Sequence, residues 1–204
     1  MFIDAEKLDY RSINEAIRAA GDTCHITGCL GQRFIAAGMS GKKIEIDGIP
    51  GNALGAYLGG CEITIHGNAQ DAVGDTMNDG TIVVSGSIGD AAGYAMRGGA
   101  IYIKGNAGYR AGIHMKEYKE KKPVIVIGGR AGSFLGEYQA GGVIVVLGLH
   151  TDSRPIVGNY AWRQNDPARQ GGWDRIPAAG QSAHGDRIGQ GRICTVYPHL
   201  RRLF

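Results

Sequence analysis

The chain has 204 residues, 20% of them charged, and a formal net charge of +3. That length suits one domain or one and a half. So mild a positive balance, with no Lys/Arg run free of interleaved acids, speaks against nucleic acid as a partner. The opening MFIDAEKLDY offers no basic region and no apolar stretch of a secretory signal, and no run reaches the roughly 18 apolar residues of a membrane span.

In chain order, residues 1–41 read as an N-terminal capping segment. Ser12 and Glu15 form an S-x-x-E capping box ahead of Ile13, Ala16, Ile17 and Ala20, and Gly21 supplies a stop, which predicts a helix over 12–20. The short apolar runs 25–27 and 33–36 complete this cap. Such a cap is needed because the stack that follows would otherwise expose unpaired backbone at its first coil.

Residues 42–160 contain one unit written six times: KIEIDG (43–48), EITIHG (62–67), TIVVSG (81–86), AIYIKG (100–105), VIVIGG (124–129) and VIVVLG (143–148). The closing glycines are Gly48, Gly67, Gly86, Gly105, Gly129 and Gly148. A second glycine follows at Gly55, Gly74, Gly93, Gly112, Gly136 and, after a longer gap, Gly158. A fixed period near 20 residues marks a solenoid. Period-2 spacing places Ile44, Ile63, Ile82, Ile101, Ile125 and Ile144 on one strand face with Ile46, Ile65, Val84, Ile103, Ile127 and Val146. Stacked, these columns form a core that no single unit could bury. Both glycine series are expected at corners that need a left-handed backbone. The predicted fold is all-β: a single-stranded parallel β-helix of about six 19-residue coils, roughly 29 Å long, with a short N-terminal helical cap. The 35 glycines would otherwise suggest disorder, but their register and the aliphatic columns argue against it.

Two insertions break the rhythm, one within 114–123 and one within 149–156. The first carries Lys116 and Tyr118 and reads either as a solvated loop or as a charged finger for a partner. The outward column reads Glu45, Thr64, Val83, Tyr102, Val126, Val145. Its last four members form an apolar stripe that something should cover, either the tail of this chain or a second protein. From Ala161 the pattern ends. Residues 161–204 form an irregular C-terminal tail holding both tryptophans, and the shift is abrupt enough to permit a reading-frame change near 158–170.

No motif of chemistry emerges. The glycines recur in every coil without a following helix, unlike a phosphate-binding loop. The histidines His25, His66, His114, His150, His184 and His199 make no ligand pair. Cys24, Cys29, Cys61 and Cys194 show neither a metal nor a disulfide spacing, as expected in a reducing cytoplasm. Asp71, Asp75 and Asp79 share a turn region and could at most form a sugar-cleaving acid pair. No catalytic, cofactor-binding or metal residue is expected in this chain.

The segments GNAQDAVGDTMNDGTIVVSG (67–86) and 93–148, with MRGG (96–99) and GYRAGIHMK (108–116), resemble the GXGXG domain of glutamate synthases. The resemblance covers roughly residues 1–160. It implies a right-handed β-helix that is either the C-terminal part of a large subunit or a separate chain, as in N-methylglutamate synthases. It further implies a cytoplasmic complex in which a glutamine amidotransferase subunit releases ammonia and an FMN-binding, iron–sulfur synthase subunit reduces an imine. The cofactors would lie on those partners, and Val83, Tyr102, Val126, Val145, Lys116 and Tyr118 become the candidate partner surface. Separate-chain members usually continue the helix beyond the match to Val157–Tyr160, where this chain departs. Alternatives are the β-helix subunit of a formylmethanofuran dehydrogenase-like complex and a self-contained polysaccharide-acting enzyme.

Overall fold

The computed structural model describes residues 1–148 and the short segments 161–164 and 173–176. Its strands are β1 (Phe2–Asp4), β2 (Thr23–Leu30), β3 (Lys43–Ile49), β4 (Gly59–His66), β5 (Asp79–Val84), β6 (Ala100–Ile103), β7 (Val124–Ile127), β8 (Val143–Val146), β9 (Ala161–Gln164) and β10 (Trp173–Ile176); one helix, α1 (Tyr10–Ala19), lies between β1 and β2. Strands β1 to β8 pair in sequence order and in parallel, which makes a β-helix. The six strands expected from the repeat are all present.

The ladder is longer than the six coils expected, because the N-terminal segment supplies two rungs as well as a cap. Ile3 pairs with Ile26, Ile26 with Ile46, and Cys24 with Ile44. The inner columns therefore begin at Cys24 and at Ile3. The run TCHITGCL alternates only briefly and breaks register between Ile26 and Cys29, so it lacks the signature of later units. From β3 to β8 the register is as the repeat predicts: Ile44, Ile63, Ile82, Ile101, Ile125 and Ile144 stand in one row, all buried.

Helix α1 starts one turn before the expected box. Asp9 is the N-cap, and its carboxylate accepts from the Ser12 backbone N–H at 2.8 Å. That bond holds the Asp9 carboxyl below its usual range. The helix buries Ile13, Asn14 and Ile17 against the first coil. Asn14 donates from Nδ2 to the Phe34 carbonyl at 2.8 Å and accepts at Oδ1 from the Ala36 N–H at 2.8 Å. The Ala36 N–H, whose counterparts at Gly55 and Gly74 donate to the coil before, thus finds its partner on the helix, and the Phe34 carbonyl gains a second bond beside that from the Ala37 N–H.

The two glycine series do different work. Each coil turns through three left-handed residues spaced two apart, such as Ala91, Gly93 and Ala95 or Arg110, Gly112 and His114. The middle residue is Gly55, Gly74, Gly93, Gly112 or Gly136, and a Cβ at Gly112 would lie 2.4 Å from Ile144 Cδ1. The left-handed backbone favours glycine there, and a Cβ at Gly112 would push the terminal methyl of Ile144 aside. The closing glycines Gly67, Gly86, Gly105 and Gly129 are not left-handed, which corrects the sequence expectation. Their reason is proximity: each would press a Cβ to within 2.6–2.9 Å of the preceding glycine's carbonyl oxygen, at Gly48, Gly67, Gly86 and Gly105 in turn. Gly48 and Gly148, at the ends of the series, do have positive φ. Gly158 lies outside the described residues.

Inside the coils, two further buried columns close the core. One runs Ile35, Leu54, Val73, Ala92, Ala111, and the other Met39, Leu58, Met77, Met96, Met115. The interior is solid packing, so the rod is not a pore.

Candidate interaction surface

The outward column of the sheet divides in two. Near the N-terminus it is polar, with His25 Nε2 2.7 Å from Asp47 Oδ2 and the Phe2 ring 5.2 Å from the imidazole. Toward the C-terminus, Val126 is fully buried and Tyr102 is 7% exposed. They form a second small core with Leu147, against which Val83, Ala100, Val124 and Val145 pack half-buried. Four of the candidate partner residues, Val83, Tyr102, Val126 and Val145, therefore lie in one mostly buried patch. At the end of the same sheet, β9 pairs antiparallel with β8, and β10 with β9. The tail's short strands were invisible in its composition, because pairing to the free edge of β8 supplies what local alternation does not.

Lys116 and Tyr118 are exposed. The finger forms a tight reversal, with Tyr118 and Lys121 exchanging both backbone bonds at 3.1 and 3.0 Å. It lies back along the rod: Lys121 Nζ donates to Asp79 Oδ2 at 2.7 Å and to the Asn78 carbonyl at 3.3 Å. The ammonium of Lys121, followed by the Gly80 N–H, holds the Asp79 carboxyl below its usual range. Both side chains are about half exposed, so the pair fixes position more than it adds stability.

The acids of the turn region are structural. Asn52 Oδ1 accepts from the Asp71 N–H at 3.3 Å, Asp71 Oδ1 from Asp90 at 2.8 Å, and Asp90 Oδ1 from Tyr109 at 2.7 Å. A parallel ladder runs from Asn68 through Ser87 and Asn106 to the Arg130 N–H. Each side chain bonds the equivalent backbone position one coil on. The signal was present in the sequence as Asn/Asp recurring every 19 residues, but its partners are coils apart. Asp71 therefore does not stand free as half of an acid pair.

Among the described residues no three of His, Cys, Asp and Glu converge. The thiols lie in the core: burial pushes Cys24 and Cys61 up, and Cys29 up to about 11. Thiols so raised are poor nucleophiles and poor ligands. The His25–Asp47 pair could orient a base, yet no hydroxyl or thiol is bonded to it among the described residues. His150, His184, His199, Cys194 and the insertion within 149–156 lie outside the described residues.

The feature that sequence reasoning missed is on the turn face. The left-handed positions flanking the second glycines carry Arg110, His114, Phe134 and Tyr138. His114 stacks on Tyr138 at 5.0 Å and meets Tyr94 edge-on at 5.7 Å, while the Arg110 guanidinium lies 5.3 Å over Phe134. These residues sit at one repeat's spacing, which is the signal that could have found them.

The model of the GXGXG motif family matches residues 5–158. An uncharacterized protein of Methanocaldococcus jannaschii is 54% identical over 155 residues, covering 72% of this chain and 59% of the relative. The chain thus spans less than two thirds of that relative's length. No solved structure gave a significant match.

Proposed function

The chain belongs to the GXGXG motif family, and from that membership we propose that it is a non-catalytic scaffold subunit of a glutamate-synthase-type, glutamine-dependent oxidoreductase. The observation that carries this reading is the family match across 5–158, which takes in every rung from β2 to β8. The filled interior and the side-chain ladders on its corners give a stiff rod with no converging catalytic groups among the described residues. A rod of this kind suits a positioning role, because small errors in the placement of reacting centres cost orders of magnitude in rate.

In this reading the partners are a glutamine amidotransferase subunit and an FMN-binding synthase subunit. Flavin and iron–sulfur chemistry would supply electrons for imine reduction on those chains. We assign the chain to the cytoplasm on the same basis; among the described residues no helix is long and apolar enough to cross a membrane.

Affinity purification of the tagged chain from its native cells, with mass spectrometry and a visible spectrum, tests the reading. Co-purifying amidotransferase and flavin-bearing chains are expected. A colourless, stable, solitary chain would overturn it.

A further inference from the structure

The turn face of the last two described coils carries bulky side chains on both left-handed flanks, where the backbone least favours them. Residues with positive φ are ordinarily glycine, or asparagine when a side chain is present. The first coil has Gly38 in the slot that Tyr57, His114 and Tyr138 fill in later coils, although its other flank holds Phe34, and the second coil pairs Tyr57 with the small Ala53. In the middle of the rod the flanking slots hold small residues, such as Ala72, Thr76, Ala91 and Ala95. Only toward the C-terminal end do they hold Arg110, His114, Phe134 and Tyr138, consecutively and on both flanks.

Burial cannot explain this choice. Phe134 is 55% exposed and Tyr138 is 69% exposed, so neither ring recovers its strain by entering the core. Strained backbone carrying exposed aromatic side chains marks a contact made outside the chain. Arg110 lies over the Phe134 ring, and Arg97, Arg110 and Lys116, in adjacent coils, are exposed and make no ion pair among the described residues. Several nearby acids are hydrogen-bonded within the chain, while Glu137, between Phe134 and Tyr138, is a half-buried carboxylate on the same turn face. Asp75 accepts from Thr76 Oγ1, Asp90 from the Tyr109 N–H, and Glu117 from the Gly142 N–H.

We infer that this aromatic and cationic turn face, centred on His114, Phe134 and Tyr138, is where a partner subunit docks through an acidic segment bearing apolar side chains. Carboxylates would meet Arg97, Arg110 and Lys116, and flat or aliphatic groups would cover the exposed rings. A second copy of this chain is a poorer fit, because two-fold packing would set Arg110 and Lys116 against like charges. The inference deepens the subunit reading and rests on it.

The test uses the tagged full chain in its native cells. Phe134→Gly/Tyr138→Gly removes the rings and relieves the backbone strain at once. Partner recovery should fall by at least about tenfold, while the melting temperature of the purified chain stays equal or rises. Arg110→Glu/Lys116→Glu should lose partners similarly, and Phe2→Ala on the strand face should keep them. A photo-crosslinking side chain at 138 should attach to an acidic segment of a co-purifying subunit. Full partner recovery by both double variants overturns the inference and leaves the subunit reading standing, as does a crosslink only to a second copy. If the unaltered chain brings down no subunit, both readings fall together.

Discussion

At the N-terminal end of the rod Asn14 uses both halves of its amide, giving Nδ2 to the Phe34 carbonyl and taking the Ala36 N–H on Oδ1. At the C-terminal end Gln139 uses only its nitrogen, donating to the carbonyls of Gly141 and Gly142 at 3.0 and 3.2 Å. Its Oε1 is buried with no partner. Gln139 takes the slot that Met77, Met96 and Met115 fill in earlier coils. In earlier coils the carbonyls equivalent to that of Gly142, those of Gly99 and Pro123, accept from Val124 and Val143 one coil on. Among the described residues no further parallel rung follows β8, and β9 meets only Val143–Val145. The glutamine thus bonds carbonyls that no described parallel strand reaches. Both ends of a parallel ladder leave backbone groups orphaned, and a buried amide can close either end at differing completeness.

The largest expected effect separates the ends at one equivalent position. The first coil already holds Ala36 at φ 59, whereas Gly112 has Ile144 Cδ1 where a Cβ would go. Gly112→Ala should cost about 2–4 kcal/mol in chemical denaturation, while Ala36→Gly should change stability by less than about 1 kcal/mol. Equal losses would break the comparison.

Asn14→Leu should cost about 2 kcal/mol, because it leaves the buried Ala36 N–H unpaired while the Phe34 carbonyl keeps its bond from the Ala37 N–H. Alkaline titration probes the same end. With its thiol pushed up to about 11, Cys29 stays protonated in the fold after the unfolded chain has begun to ionise. The unfolded state then binds fewer protons, so stability falls as pH rises from about 8.5 toward 11, by roughly 2 kcal/mol. Cys29→Ala should flatten that slope in a series of urea melts.

Gln139→Met should cost less than Asn14→Leu, about 1 kcal/mol, since removing the orphan Oε1 offsets part of the loss at the two carbonyls. A gain in stability would show that the amide does not close the ladder. The smallest effect is at the finger. The depressed Asp79 carboxyl contributes stability that is present above the unfolded value near 3.9 and is lost as pH falls through the lower folded value. At this half-exposed pair the loss should stay under about 1 kcal/mol, and Lys121→Met should abolish it in acid melts.

The strands β3 to β8, their register, the two aliphatic columns and the need for glycine at Gly55, Gly74, Gly93, Gly112 and Gly136 were legible from the sequence, because alternation and a 19-residue period are local properties of the chain. The family resemblance was legible on the same residues. What lay beyond reach depends on atoms one or more coils away. The rungs β1 and β2 exist because β3 offers an edge, and the closing glycines are required by the carbonyl of the coil before. Asp71 and Asp90 are ladder members because a backbone N–H arrives 19 residues later. Tyr102 and Val126, which alternation placed outside, are buried by packing that no single strand encodes. Periodicity wrote the repeat, and stacking decided what each repeated residue touches.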